Sequence, residues 1–292
     1  MTFKHVALIG FGEVGRILAT DLSRAAASPT VSVWDTAFAE PNSEALEFAR
    51  TLPITSAADA QDAARGADLI ISAVTAAQTL GAAASVSGAI EPTALFLDLN
   101  SASPQAKIVA AETINQAHGH YVEGALMSPV PKPRLATPIL LGGAYAEAAA
   151  PRLQALGFTQ ARFFSESLGR AAAAKLCRSV IVKGMEALVL ESLLAARSYG
   201  VEETVLESLN DMFPEKDWQA FAGYLIGRTL EHGSRRAEEM HEAARTVNAT
   251  GLAPLLSDAI AERQSWAAGF ADTLTEDNLP DRLSAILRRA AE

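Results

Sequence analysis

Cysteine is nearly absent. Cys177 is the single one in 292 residues, which excludes an internal disulfide and a cysteine cluster for zinc and fits a reducing compartment. Basic residues are in deficit, 24 Lys and Arg against 34 Asp and Glu, giving a formal net charge of −10. That balance argues against a nucleic-acid or anionic membrane partner and leaves small-molecule chemistry open. No apolar run reaches the roughly 20 residues that a membrane helix needs. The opening Met1-Thr2-Phe3-Lys4-His5 lacks the charged start, apolar run and cleavage site of a signal peptide. A cytoplasmic protein is therefore expected. Internal repeats, low-complexity linkers and charge blocks are also missing. What is present, 49% hydrophobic and 20% charged residues, describes a folded chain whose length favours two domains over one.

Residues 5–9 read as a short buried strand, followed at once by Gly10-Phe11-Gly12-Glu13-Val14-Gly15 and a helical pattern over 14–25. A second strand at 31–34 ends in Asp35. Strand, glycines, helix, strand and terminal acid in this order form a dinucleotide-binding arrangement. Gly10 permits the tight turn, Gly12 admits a pyrophosphate, and Gly15 lets helix pack on strand. Asp35 is expected to accept hydrogen bonds from ribose hydroxyls and to repel a 2′-phosphate. Thr36, Ala37 and Phe38 offer no cation to hold one. NAD is thus expected in preference to NADP, the alternative cofactor.

Apolar strands recur at 69–74 and 94–97, each after an Ala-rich helical stretch, and further strands are expected at 121–123, 138–141 and 161–164, with a helix at 145–156. The alternation implies a parallel sheet wound on both faces, with ligands beyond the carboxyl ends of its strands. That rule points to Val74-Thr75-Ala76 and Asp98-Leu99-Asn100-Ser101, which read equally well as ordinary capped loops. Pro129, Pro131 and Pro133 stiffen the segment after the 121–123 strand and forbid helix there. Residues 169–199 form one long proline-free helical pattern, and helices follow at 202–212, 215–230, 234–250, 255–270 and 280–290. The expected architecture is an N-terminal Rossmann domain over 1–166 and an all-helical C-terminal domain over 167–292 that includes the long helix. Taken alone, Lys175 near the start of that helix is a solvated lysine.

The order of motifs resembles the β-hydroxyacid dehydrogenase superfamily, which includes 6-phosphogluconate, 3-hydroxyisobutyrate and tartronate semialdehyde dehydrogenases and the imine reductases. Four segments carry the likeness. They are Gly10 to Gly15 with Asp35; Leu97-Asp98-Leu99-Asn100-Ser101-Ala102-Ser103-Pro104, similar to the family's Asp-x-Ser-Thr stretch; Glu123-Gly124-Ala125-Leu126-Met127-Ser128, in the place of its substrate loop; and Gly169 with Lys175, matching the Gly-x5-Lys of its catalytic helix. The likeness extends through Leu230. It looks nearest to a phosphogluconate-dehydrogenase-like branch whose helical C-terminal domain has no agreed function. The chain is far too short for 6-phosphogluconate dehydrogenase itself.

The resemblance implies a hydride exchanged between nicotinamide and a small hydroxy acid or related alcohol or carbonyl, with Lys175 as general acid/base, its ammonium form disfavoured by burial. It implies substrate contacts from Ser128, Arg178, Ser179, Asn100 and Ser101. Cofactor contacts fall to Gly10, Phe11, Gly12, Glu13, Val14, Gly15, Asp35, Val74, Thr75 and Asn100, and association as a homodimer through the helical domain is implied as well. Departures bear on the substrate: Ser179 stands where the family has Asn, Met127 stands where it has Ser, and the loop lacks a double glycine. The Glu-Gly-Ala of the loop is shared with imine reductases, which generally lack the Lys. An imine reductase and a non-catalytic NAD-binding protein are therefore the competing readings. Lys183, two turns beyond Lys175, is a secondary candidate. His241-Glu242-Ala243-Ala244-Arg245 starts like a zinc motif, but Arg stands in the place of its second His, so no metal is expected.

Overall fold

The computed structural model describes residues 3–291, and the chain divides into two compact units at Lys175/Leu176. The first unit alternates strands and helices: β1 (His5–Ile9), α1 (Glu13–Leu22), β2 (Thr30–Trp34), α2 (Glu44–Arg50), β3 (Thr55–Ser56), α3 (Ala60–Ala64), β4 (Leu69–Ser72), α4 (Thr79–Val86), β5 (Leu95–Asp98), α5 (Pro104–Gln116), β6 (His120–Leu126), β7 (Ile139–Gly142), α6 (Ala146–Leu156) and β8 (Ala161–Ser165). The strands form one sheet in the order β3-β2-β1-β4-β5-β6-β7-β8.

Two-residue periodicity sorts the core. Val6, Leu8, Val33, Leu69, Ile71, Leu95 and Leu97 share one buried cluster with Leu18 and Leu22 of α1 and Leu153 of α6. Ala7, Ile9, Ile70 and Phe96 join the other, with Ala63 of α3, Ala83 and Val86 of α4, and Ala110 and Ile114 of α5. The central strands β1, β4 and β5 are therefore apolar on both faces, as a sheet covered on two sides requires. The small side chains of α3, α4 and α5 suit a helix lying directly on the strands.

Two expectations need correction. The sheet is not wholly parallel, because β7 runs antiparallel to β6. A parallel neighbour needs a crossover, usually a helix, and the proline-rich link holds only a single 3-10 turn, Arg134–Ala136. Arg134 forks onto the Asp21 carboxylate of α1 at 2.6–3.0 Å, tying that link down. The strand at 69–74 also ends early, at Ser72, since the Val74 amide donates to the side chain of Asn100 rather than to a strand.

The helices that follow are α7 (Arg170–Tyr199), α8 (Glu202–Met212), α9 (Trp218–Asn248), α10 (Leu255–Ala268) and α11 (Leu279–Ala290). The second unit is held by Leu190, Leu193, Leu206, Ile226, Leu230, Leu283 and Ile286 among others. Where two helices were expected at 215–230 and 234–250, α9 is one rod of 31 residues, begun by Asp217, whose side chain accepts from the Ala220 amide. Gly233 does not break it. A Cβ there would lie 2.4 Å from the Gln264 carbonyl oxygen and 3.0 Å from Ala268 Cβ, so the glycine serves the close approach of α9 to α10. Among the described residues no helix is long and apolar enough to cross a membrane.

Gly233→Ala is expected to destabilise the helical unit by about 1–3 kcal/mol through overpacking. Gly223→Ala, in the same helix with open space at its Cβ, should be neutral or stabilising by up to about 1 kcal/mol. Chemical denaturation followed by circular dichroism checks both.

Candidate active site

Strand order reverses between β1 and β4, which are neighbours in the sheet and lead to connections on opposite sides. The crevice at the carboxyl ends of such a pair is where open α/β sheets bind ligands. At this point Gly10 takes φ +98°, and a Cβ on it would come 2.5 Å from the Ala73 carbonyl oxygen; one on Gly15 would come 2.1 Å from the Gly10 carbonyl oxygen. No larger residue fits either place. At Gly12, by contrast, a Cβ would meet nothing within 4 Å. Gly12 also caps α1 without a side chain, so the open backbone and first-turn N–H groups fit a pyrophosphate.

Asp35 ends β2 beside this loop. Its carboxylate accepts from the Phe11 amide at 2.6 Å and the Ala37 amide at 2.8 Å, so its first duty is to hold the glycine loop and the turn after it. A carboxylate has about four acceptor sites, which leaves capacity for ribose hydroxyls.

The end of β5 carries a buried polar cluster. Asp98 is fully buried and accepts from Lys107 Nζ at 2.7 Å, Tyr121 Oη at 2.7 Å and the Asn100 amide at 2.9 Å. Lys107 also donates to the Asp98 carbonyl oxygen at 3.0 Å. Burial, then the neighbouring Asp98 charge, pushes the Tyr121 hydroxyl well above its usual pKa, so it is a permanent donor. Asn100 continues the network: its Oδ1 accepts from the Val74 amide at 2.7 Å and its Nδ2 donates to Ser72 Oγ at 2.9 Å. One side chain thereby links the loops after β4 and β5.

Glu123 lies beside Asp98 in the register of β5 and β6 and is also fully buried. Its two oxygens accept from the Gly169 amide at 2.7 Å and the Ala172 amide at 2.5 Å, at the start of α7. Burial raises its pKa, against the lowering effect of Lys107 and the two amides. One turn further along α7, Lys175 Nζ donates to Ser101 Oγ at 2.5 Å. Ser128 Oγ, in the loop after β6, is buried without a hydrogen-bond partner.

The structure thus brings Lys175 to Ser101, and Asn100 to Val74, at the carboxyl edge of the first unit. Arg178 and Ser179 fall in the second unit, where Arg178 is exposed and Ser179 buried. Lys183 pairs with Glu239, and Glu186 with Arg236, within that unit. Burial raises the Glu186 pKa, with Arg236 opposing. Glu242 pairs with Arg245, and no metal-binding group of His, Cys, Asp and Glu occurs among the described residues. Sequence reasoning missed the structural roles of Lys107, Tyr121 and Glu123. The available signal was a charged residue on an apolar face: Glu123 inside a buried strand, and Lys107 on α5 one turn before Ala110 and Ala111.

A Rossmann sheet with an open glycine turn at its switch point, followed by a helical domain, defines a dinucleotide-binding class. Residues 5–158 match the family described as the NAD binding domain of 6-phosphogluconate dehydrogenase, and residues 196–267 match a domain of unknown function, DUF1932. The chain belongs to this family and, with it, to the phosphogluconate-dehydrogenase-like and β-hydroxyacid dehydrogenase superfamily. A conserved hypothetical protein from Sinorhizobium meliloti is 35% identical, with 98% of this chain and 96% of that one covered and a TM-score of 0.75. A conserved protein of unknown function, described as structurally similar to 3-hydroxyacid dehydrogenases, is 29% identical over 90% of this chain and 97% of that one, at a TM-score of 0.68. The 3-hydroxyisobutyrate dehydrogenase of Mycobacterium tuberculosis shares the fold at 18% identity, with full coverage of both chains and a TM-score of 0.69.

Replacing Asn100 with Ala strips the Val74 amide and Ser72 hydroxyl of their buried partner. A loss of about 1–3 kcal/mol in unfolding free energy is expected, measured by denaturant titration against wild type.

Proposed function

We propose that the chain is an NAD-dependent oxidoreductase acting between a hydroxyl and a carbonyl on a small hydroxy acid or related compound, with Lys175 as general acid/base. The observation that carries the reading is the Lys175–Ser101 contact at the carboxyl edge of the sheet, the edge at which the glycine turn opens. When bound, the nicotinamide supplies the hydride acceptor or donor. Gly10 to Gly15, Asp35, Val74, Thr75 and Asn100 are the residues that would hold the cofactor.

In the alcohol-oxidising direction, neutral Lys175 takes the substrate hydroxyl proton at Nζ; in the reverse direction its ammonium returns that proton to the developing alkoxide. Ser101 orients the Lys175 amine. Ser128, whose hydroxyl is buried and unpartnered, is assigned to the substrate, and Asn100, Arg178 and Ser179 are assigned to it by resemblance. Asp35 selects NAD, since its carboxylate at the end of β2 opposes a 2′-phosphate. Retention of Lys175 sets this reading above imine reduction. The functional division is placed at 166/167, with a cytoplasmic homodimer formed through the helical domain. Ile181 and Leu188 of α7 and Leu255 and Leu256 of α10, between 67% and 77% exposed, are apolar surface that suits such an association.

Lys175→Ala should lower turnover on a responsive hydroxy acid by roughly 10²- to 10⁴-fold while NADH affinity stays unchanged. Following nicotinamide absorbance over a panel of hydroxy acids, alcohols and imines provides the measurement, and unaltered turnover in the variant would sink the acid/base assignment. For cofactor choice, wild type should bind NADH more tightly than NADPH by calorimetry, and Asp35→Ala should narrow the difference. Equal wild-type affinities would refute the reading of Asp35.

A further inference from the structure

Asp98 and Glu123 stand side by side at the ends of β5 and β6, both without solvent exposure. Neighbouring strands run about 4.8 Å apart, so two carboxylates are packed at close quarters in a place where either charge is costly unless fully bonded. Their partners divide cleanly. Asp98 takes the Asn100 amide, Lys107 and Tyr121, and the residue after Asn100 is Ser101. Glu123 takes the Gly169 and Ala172 amides, and the next residue on the same side of α7, three positions on, is Lys175. One carboxylate holds the loop that bears the hydroxyl, and the other holds the helix that bears the amine.

The surrounding glycines leave this arrangement little play. Gly142 faces Glu123 across β6 and β7, and a Cβ on it would stand 2.7 Å from Glu123 Oε2. A Cβ on Gly124 would stand 2.7 Å from Leu99 Cδ2, and one on Gly169, at φ +84°, would stand 2.8 Å from Pro104 Cβ. Pro104 opens α5, the helix that carries Lys107. The loop after β5 and the starts of α5 and α7 are therefore packed against one another at backbone distance.

We infer that Asp98 and Glu123 are a pair of positioning residues, which use the register of β5 against β6 to set the Lys175 amine on the Ser101 hydroxyl. The inference rests on the reading of Lys175 as general acid/base with Ser101 orienting its amine. Neither carboxylate touches the reacting atoms; each acts through the segment it holds.

The full chain contains six lysines, so lysine-selective 13C labelling resolves Lys175, assigned through Lys175→Arg. Its titration is compared in wild type, Glu123→Gln, Gly142→Ala and Asp98→Asn. Glu123→Gln removes one of the two acceptors at the start of α7. Gly142→Ala keeps Glu123 and crowds its carboxylate, and serves if Glu123→Gln does not fold. With circular dichroism unchanged, the Lys175 midpoint is expected to move by about half a pH unit or more in each variant. Turnover should fall roughly 10- to 100-fold through kcat, with KM little altered, and Glu123→Gln should leave NADH affinity within about twofold, since the Glu123 carboxylate bonds the Gly169 and Ala172 amides at the entry to α7. Folded Glu123→Gln and Gly142→Ala proteins with wild-type Lys175 titration overturn the inference. Turnover that survives Lys175→Ala defeats the acid/base reading instead, and the titration then still decides whether these carboxylates position Lys175.

Discussion

The buried ion pair of Asp98 with Lys107 is the interaction on which the carboxyl edge of the sheet depends. Two charges removed from water are stable only where hydrogen bonds replace their hydration. Here Tyr121, a backbone carbonyl and the amide of Asn100 supply such bonds beside the pair's own contact. The Asn100 amide is the productive member of that set. It fixes an asparagine whose side chain then spans to Ser72 and Val74, so the geometry of two loops follows from the satisfaction of one carboxylate. Replacing the pair with apolar residues would take the acceptor from the Tyr121 hydroxyl and the Asn100 amide and leave those loops without a reference point.

The fold was legible in the sequence to the extent that its signals were local. Gly15 could be read because the contact that demands it, 2.1 Å from the Gly10 carbonyl oxygen, arises within a strand–turn–helix unit that recurs with fixed spacing; Gly10 was read from the turn of the same unit, although the Ala73 carbonyl oxygen that also demands it lies beyond β4. Alternating apolar strands and Ala-rich helices likewise announced a sheet covered on both faces. The antiparallel β7 was missed because strand direction is set by what lies between strands. A proline-rich link was read there as a stiff loop, without the step from a missing crossover helix to reversed direction. The break expected between the helices at 215–230 and 234–250 failed for a similar reason: Gly233, which lies there, packs against the Gln264 carbonyl on α10, a contact no local pattern shows.

The candidate site divides the same way. Lys175 was placed by its distance from a glycine and by resemblance, and the structure sets it on Ser101. Glu123 was legible as the end of a strand and the start of the substrate loop but not as an anchor, since its partners lie 46 and 49 residues away and no spacing rule connects them. Ser128 was named as a substrate contact through the resemblance, yet its lack of any hydrogen-bond partner is a property of three dimensions. In the helical unit, the pairing of Lys183 with Glu239 gives a second-unit explanation for a lysine that the helix periodicity alone had put two turns beyond Lys175.

The long helix α7 starts at Arg170, five residues before the compact first unit ends. The nucleotide-binding fold is therefore not a self-contained module in the sense used for recombination. A cut in the loop before α7 would spare every strand yet separate Glu123 from both amides that satisfy it and remove the lysine. Exchange of the helical domain between relatives has its workable junction inside a helix, after its first two turns. Shuffling of this kind is held to partners whose α7 continues the same helical phase.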